Sequence, residues 1–144
     1  MSIDIRPMKL NDYAVVRDVW EAAGLSIRPQ GRDTEQAVME QLRHFPNTYL
    51  VAEHEGRVVG VVFGTHDFRK GWINRLAVHP EYQKRGIARR LIAACEQAFD
   101  KLGIGIFAAL IEGGNEGSEA LFRRVNYEKF EPISYYRKRR FPEV

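Results

Sequence analysis

The sequence predicts an α/β fold of the α+β kind, with a mixed, mostly antiparallel sheet of six or seven strands flanked by helices. Residues 48–53 and 57–65 are rich in β-branched side chains, which is typical of strands. Apolar side chains recur at helical spacing after residue 86, at Ile87, Leu91, Cys95, Ala98 and Leu102. Helical segments stand both before and after the strand-rich region, an order that favours helices on the faces of a mixed sheet.

The N-terminal third predicts one strand and two helices. Residues 3–8 alternate well enough for a strand, and Asn11 stands where a helix N-cap is expected. Gly24 ends this first helix, and residues 25–32 read as a loop. Asp33 and Gln36 then resemble a capping box for a second helix, which we expect to stop before Pro46.

The middle and the C-terminal part predict the remaining elements. The segments 48–53 and 57–65 are separated by a short hairpin signal, and residues 72–78 form a third, largely apolar strand. A long amphipathic helix follows a turn. We then expect a strand over 104–111, a short helix over 118–125 and one or two final strands within 128–141.

Length and composition fit one domain spanning residues 1–144. Hydrophobic residues make up 44% of the chain and charged residues 28%, close to average globular usage. A single cysteine, Cys95, excludes an internal disulfide framework and fits a reducing compartment. No apolar run approaches the length of a membrane span and the N-terminus lacks the apolar core of a signal peptide, so we expect a cytoplasmic protein with no membrane partner.

Positive charge is clustered although its excess is small, with 22 Lys and Arg against 19 Asp and Glu. One cluster comprises Lys84, Arg85, Arg89 and Arg90, and the other covers residues 137–140. Solvated surface is one interpretation of the tail cluster, and nucleic-acid binding is another. Because the tail lacks the basic stripe interleaved with aromatic residues that single-strand binders use, we expect no nucleic-acid partner.

The turn between residues 78 and 89 indicates an anion site. A strand runs into this turn and continues into a helix whose first turn contains Gly86 and Ala88. The first N–H groups of a helix are unpaired and carry partial positive charge, and glycine allows a phosphate to approach the backbone closely. A diphosphate-bearing ligand is therefore expected, although a tight loop that merely permits close packing would use the same small residues.

Two segments resemble the GNAT superfamily of N-acetyltransferases. Residues 76–88 read LAVHPEYQKRGIA and are similar to the family's acetyl-CoA signature, Gln/Arg-x-x-Gly-x-Gly/Ala. Residues 115–127 read NEGSEALFRRVNY and are similar to the family's Asn-x-x-Ala/Ser-x-x-Leu-Tyr-x-x-x-Gly-Phe. The expected order of strands and helices also agrees, and the predicted fold is GNAT-like.

The resemblance implies acetyl-CoA as the donor cosubstrate and an amine as the acceptor. The family's bulged strand binds the pantetheine arm through backbone groups, here those of Leu76, Ala77 and Val78. The diphosphate site maps onto Lys84, Arg85, Gly86, Ile87, Ala88 and Arg89. Asn115 matches an asparagine that lies beside the pantetheine; an Asx turn after two glycines is the alternative.

The chain departs from the family where catalysis is concerned. Phe122 stands at the position of a tyrosine proposed to protonate the departing thiolate. Tyr127, Tyr135, Tyr136 and a bound water are the possible substitutes. Helix geometry rotates Tyr127 off the face of Phe122, so Tyr136 or its neighbour Tyr135 is the expected acid. Strand 72–78 carries no carboxylate. The candidate bases are Asp67, Glu112, His66 and His79, of which Glu112 is favoured because it follows the strand beside the cleft; a solvated surface glutamate is the alternative.

The predicted activity is direct transfer of an acetyl group to an amine of a small molecule or a protein. No metal is expected, because no His and Cys cluster has ligand spacing. Cys95 lies on the apolar stripe of the long helix, where core packing is expected. The alternative function is a regulatory module that binds acetyl-CoA and has weakened catalysis. A homodimer is left open, and Arg28 and Arg32 favour an acceptor carrying a carboxylate or phosphate.

Overall fold

A computed structural model describes residues 1–144 and contains one sheet of five strands in the order β1-β2-β3-β4-β5. The strands are β1 (Asp4–Pro7), β2 (Tyr49–His54), β3 (Arg57–His66), β4 (Gly71–Val78) and β5 (Phe107–Ala108). The helices are α1 (Tyr13–Ala22), α2 (Glu35–His44), α3 (Ile87–Lys101) and α4 (Glu116–Arg124). Strands β1 to β4 are antiparallel neighbours, and β5 is parallel to β4. The predicted mixed, mostly antiparallel sheet flanked by helices is confirmed.

The sheet has five strands and not the expected six or seven. Residues 128–141 contain no strand, and only Phe107–Ala108 of the predicted strand 104–111 pairs with the sheet. Apolar side chains of the tail, such as Phe130 and Ile133, lie exposed. A strand gains its stability from cross-strand partners and a buried face, and the tail has neither. The prediction of one or two final strands is therefore wrong.

The N-cap of helix α1 lies one residue later than the sequence predicts. A single 3-10 turn, Leu10–Asp12, precedes it, and the N-cap is Asp12 in place of Asn11. The Asp12 carboxylate accepts the Lys9 N–H at 2.8 Å and pairs with Arg6, which also binds Glu53 of β2. The start of α1 is thus tied to strands β1 and β2.

Helix α2 is capped by Thr34 and not by Asp33. The Thr34 hydroxyl accepts the N–H of Ala37 at 3.0 Å, the usual N-cap bond. Asp33 is buried, 5% exposed, and its carboxylate pairs with Arg75 of β4 and accepts the Arg28 N–H. The expected capping box at Asp33 and Gln36 is wrong because a distant arginine takes that carboxylate. The helix ends at His44, before Pro46 as predicted.

Two cores cover the two faces of the sheet. Helix α3 packs on one face through Leu91, Ile92, Cys95 and Phe99, while α1 and α2 cover the other with Val16, Trp20 and Val38. Strands β3 and β4 offer Gly60, Gly64 and Gly71 beneath α3. A Cβ on Gly71 would lie 2.7 Å from the Phe99 ring, so the missing side chains let α3 approach closely.

Because α3 packs closely against the sheet, the orientation of its N-terminus relative to the end of β4 is fixed. The core position predicted for Cys95 is confirmed. None of the helices has both the length and the apolarity needed to cross a membrane.

Candidate active site

Strand β4 contains a bulge next to its most polar residues. Asn74 pairs with Phe63 of β3 and Ala77 pairs with Val61, so three steps along β4 match two along β3. The extra residue falls at Arg75 or Leu76, and Arg75 has a left-handed backbone with φ of 53°. A bulge bends its strand and increases the local twist. The bulge that the resemblance implied is therefore present in β4.

Beyond the bulge, the outer edge of β4 is free of a neighbouring strand. Only Gly71 and Trp72 pair with β5, at Phe107 and Ala108. The two strands part after this contact, which leaves the edge over residues 73–78 unpaired with β5. The side chains of Ala77 and Val78 are buried and that of Leu76 is half-buried, so these residues present backbone groups at the edge. An extended ligand with amide groups can bind such an edge as an added strand does.

The turn after β4 leads this edge directly into the N-terminus of α3. His79 begins a short 3-10 turn, Pro80–Tyr82, as expected of a turn residue, and Gln83 donates to the Val78 carbonyl at 2.9 Å. Lys84 and Gly86 both have left-handed backbones, with φ of 62° and 81°. Gly86 is the N-cap of α3 and no side chain caps the helix. The first N–H groups of α3 are thus left for a ligand.

Open space surrounds Gly86. A Cβ added there would meet no heavy atom within 4 Å, so the backbone is accessible from outside. Ile87 is buried and Ala88 half-buried, which means that they contribute backbone N–H groups and not side chains to this surface. A phosphate can approach the turn as closely as the expected diphosphate site requires.

The cations around the turn fall into two groups. Lys84 and Arg89 are exposed and form no ion pair within the protein. Arg85 lies over the Tyr82 ring at 5.5 Å, and Arg90 donates to the Ile3 carbonyl at 2.8 Å. Lys84 and Arg89 therefore remain free for an anion, while Arg85 and Arg90 are partly engaged in packing.

Asn115 caps helix α4. Its side-chain oxygen accepts the N–H of Ser118 at 3.1 Å, which is the local bond that the alternative interpretation expected. Its amide N–H groups make no hydrogen bond within the protein and lie exposed. A contact with the pantetheine arm stays a prediction.

The two predicted catalytic side chains both lie exposed. Glu112 is exposed on the segment between β5 and α4, and its carbonyl accepts the Asn115 N–H at 3.2 Å. Tyr136 is 91% exposed and belongs to no strand, so it does not reach across the cleft on a final strand. Their roles as base and acid stay predictions.

Phe122 is buried where the family carries a tyrosine. Its ring contacts that of Tyr127 edge to face, with centroids 5.0 Å apart. The expectation that Tyr127 would be rotated away from Phe122 is wrong, because α4 ends at Arg124 and Asn126 adopts a left-handed φ of 72° that turns the chain back. The Tyr127 hydroxyl donates to Glu96 at 2.6 Å, and burial raises the pKa of this phenol, with Glu96 adding to the shift.

A cavity of about 440 Å³ lies on the α1 and α2 side of the bulge. It is lined by Arg32, Asp33, Gln41, Phe45, Tyr49, Phe63, Thr65, Asn74 and Arg75. Sequence reasoning missed Asp33 and Arg75 as site residues. The available signal was an arginine within the otherwise largely apolar segment 72–78, where a charged side chain needs a partner.

No accessible thiol or metal cluster accompanies these features. Burial raises the pKa of the Cys95 thiol to about 12, and this side chain of α3 is fully buried in the core. No group of three or more His, Cys, Asp and Glu side chains is arranged to hold a metal ion. The arrangement offers an unpaired strand edge, a helix N-terminus without a side-chain cap and a separate polar cavity.

Solved structures share this architecture. The N-acetyltransferase PaiA of Thermoplasma acidophilum in complex with coenzyme A superposes with a TM-score of 0.82 over 92% of this chain and 94% of that chain, at 16% sequence identity. The ribosomal-protein-S18-alanine N-acetyltransferase of Escherichia coli matches with a TM-score of 0.71 over 87% of this chain and 77% of that chain, at 15% identity. At these identities the likeness shows the fold.

Sequence comparison shows the family. The model of the acetyltransferase (GNAT) family matches residues 13–127. An acetyltransferase of Sodalis glossinidius is 32% identical over 95% of both chains, and one of Pectobacterium atrosepticum is 31% identical over 92% of both chains. The chain belongs to the acetyltransferase (GNAT) family and is an acyltransferase.

Proposed function

We propose that the protein transfers the acetyl group of acetyl-CoA directly to the nitrogen of an amine. The observation that carries this proposal is the free edge of β4, which leads through a single turn to the N-terminus of α3, where Gly86 is the N-cap and no side chain caps the helix. An edge that binds amides and a turn that binds phosphates, in series, suit an extended ligand with amide groups at one end and a diphosphate at the other. Coenzyme A has this order, and the structural relative from Thermoplasma acidophilum is in complex with it.

The turn would bind the diphosphate through backbone and charge together. The N–H groups of Ile87 and Ala88 lie in the first turn of α3, where the helix dipole favours an anion. Lys84 and Arg89 supply full positive charges on either side. The pantetheine amides would then lie along residues 76–78, and Asn115 would donate from its free amide group.

The transfer needs one bond made and one broken. The carbon–nitrogen bond forms as the carbon–sulfur bond of the thioester breaks, the sulfur leaves as a thiol or thiolate, and the amine loses a proton. Holding both reactants in one geometry supplies much of the rate, and a backbone N–H of β4 near Val78 would donate to the thioester oxygen as charge develops on it. Neither contribution requires a side-chain acid.

Direct transfer is favoured over an acetylated enzyme because the only thiol is inaccessible. Cys95 is fully buried and its pKa is raised to about 12. Initial rates at varied acetyl-CoA and amine should therefore give intersecting double-reciprocal lines, and Cys95→Ala should keep the same pattern. Parallel lines would instead indicate a covalent intermediate and contradict direct transfer.

A panel of amines tests the function itself. Thiol release that depends on both acetyl-CoA and an amine is the expected result. Tight binding of acetyl-CoA with no acetylation of any amine class would favour the regulatory module over the enzyme.

Glu112 is the proposed acceptor of the amine proton. Removing a general base typically costs about 10²–10⁴-fold in rate, so Glu112→Gln should lower kcat at least tenfold. Glu128→Gln is a matched control, since Glu128 is exposed and forms no ion pair. If both variants keep the wild-type kcat, solvent accepts the proton and the assignment of Glu112 is wrong.

A further inference from the structure

The cavity of about 440 Å³ beside the bulge of β4 has no role in binding the donor as described so far. Resting on the proposed acetyl transfer, we propose that it binds the acceptor, and that the acceptor is an anionic amine: an amine whose body carries a carboxylate or phosphate held by Arg32, with an apolar portion against aromatic side chains. This assigns a substrate class to the site.

The cavity adjoins the edge along which the donor is proposed to bind. Asn74 and Arg75 line it and immediately precede Leu76 on β4. Thr65 of β3 lines it as well, and its hydroxyl accepts from the Asn74 amide at 3.0 Å. The cavity therefore opens at the point where β4 bulges, one residue from Leu76, the first of the residues proposed to bind the donor.

The charge of the cavity is unbalanced. Arg75 is held by the buried carboxylate of Asp33, by the Ser26 carbonyl at 2.6 Å and by the Trp20 ring at 5.2 Å. Arg32 also lines the cavity and has no side-chain hydrogen bond or ion pair. Two arginines thus face one carboxylate, and the carboxylate is already committed to Arg75.

A third arginine adds to this field. Burial lowers the pKa of Arg75, and the positive charges of Arg32 and Arg28 act in the same direction while Asp33 opposes them. The guanidinium groups of Arg32 and Arg28 are therefore both close enough to repel that of Arg75. An anion placed against Arg32 would relieve this repulsion, whereas a polycation would increase it.

Three of the residues that line the cavity are aromatic. Tyr49 and Phe63 are stacked with centroids 3.8 Å apart, and Phe45 stacks on Tyr49 at 5.8 Å. Phe45 is half-buried, so part of its face remains for a ligand. The Tyr49 hydroxyl donates to Gln41 at 2.9 Å, which fixes this wall. A flat apolar body fits against this wall, where the polar groups of a sugar or a polyamine would lose water without gaining partners.

Matched acceptors that differ in charge test the inference. L-phenylalanine and L-phenylalaninamide share the amine and the ring, and phosphoethanolamine and ethanolamine form a second pair without the ring. We expect the anionic member of at least one pair to have a KM at least about tenfold lower, as charge-assisted hydrogen bonds predict. The first pair tests a carboxylate and the second a phosphate.

Variants of Arg32 localise the effect. Arg32→Gln should raise the KM of the preferred anionic acceptor about tenfold with kcat nearly unchanged, leave its neutral partner within about twofold, and be partly rescued by Arg32→Lys. Arg43→Gln is the control, because Arg43 lies exposed on α2, pairs with Glu40 and does not line the cavity. Neutral acceptors that are preferred in both pairs, or an Arg32→Gln effect equal on both members, would overturn the inference.

A binding measurement separates this inference from the proposed function. Calorimetry should show that N-acetyl-L-phenylalanine, or N-acetylphosphoethanolamine, binds more tightly than the corresponding neutral compound. Arg32→Gln should remove this difference in affinity. If no amine is acetylated yet this difference is present, acetyl transfer is refuted and the anion site stands. If amines are acetylated without any charge preference, acetyl transfer stands and the anion site is refuted.

Discussion

Gly86→Glu offers the sharpest test of the diphosphate site because the same helix contains its control. Gly86 precedes α3 with φ of 81°, and Gly103 follows α3 with φ of 77°. A Cβ at either glycine would meet no heavy atom within 4 Å. Gly86→Glu and Gly103→Glu therefore introduce the same side chain, in the same backbone conformation, without a steric clash.

Gly86→Glu should be the more stable of the two variants but the one that binds acetyl-CoA more weakly. A non-glycine residue in the left-handed region costs about 1–2 kcal/mol in both variants. A carboxylate gains about 0.3–1 kcal/mol at a helix N-terminus and loses a similar amount at a C-terminus. Gly86→Glu should thus unfold at a higher temperature than Gly103→Glu, by about 2–6 °C for a chain near this size.

Binding of acetyl-CoA should fail only in Gly86→Glu. A carboxylate about 5 Å from a phosphate charge, at an effective dielectric constant of about 20, costs about 3 kcal/mol. This corresponds to a dissociation constant raised about 100-fold or more. Calorimetry with acetyl-CoA and thermal unfolding of both variants measure the two effects. If Gly86→Glu binds within about threefold of the unmodified protein, the diphosphate does not lie at this turn.

Three further predictions concern other parts of the molecule. Asp33→Asn leaves the guanidinium of Arg75 without its carboxylate and should lower the free energy of unfolding by about 3–5 kcal/mol in urea titrations; a loss under about 1 kcal/mol would mean that solvent already reaches the pair. Because burial raises the pKa of Cys95 to about 12, its thiol should stay protonated and unreactive toward a disulfide reagent at pH 8 until denaturant is added, and reaction of the folded protein would contradict this. Tyr136→Phe should lower kcat more than tenfold if that phenol protonates the leaving sulfur, whereas Phe122→Leu should keep kcat within about tenfold; an unchanged kcat in Tyr136→Phe would leave protonation to water.

Local sequence signals predicted most elements because each depends on neighbours along the chain. The β-branched residues in 48–53 and 57–65 predicted β2 and β3 to within one residue at either end. Apolar spacing likewise predicted α3, whose range is Ile87–Lys101. The turn at Gly86 was recognisable from the sequence because its conformation depends on glycine and on the helix that follows, both of which are local. The same residues carried the resemblance to the family that the comparisons confirm.

Interactions between residues far apart in the chain explain which structural predictions were wrong. Asp33 has the residue type and spacing of a cap, but Arg75, 42 positions away, takes its carboxylate and Thr34 caps the helix. Phe130 and Ile133 have the composition of a strand, yet no edge or core covers them. Both outcomes depend on competition between distant groups, which local propensity does not contain.

The sequence by itself determined the family, the order of the elements as far as α4 and the position of the glycine turn before α3. Only the tertiary structure decided the number of strands, the parting of β4 from β5 and the cavity in which Arg32 and Arg75 meet an aromatic wall. The physical reason is that helices, strands and turns are fixed by hydrogen bonds and side-chain periodicity over a few residues. A cavity and its charge are instead fixed by which distant side chains are buried together.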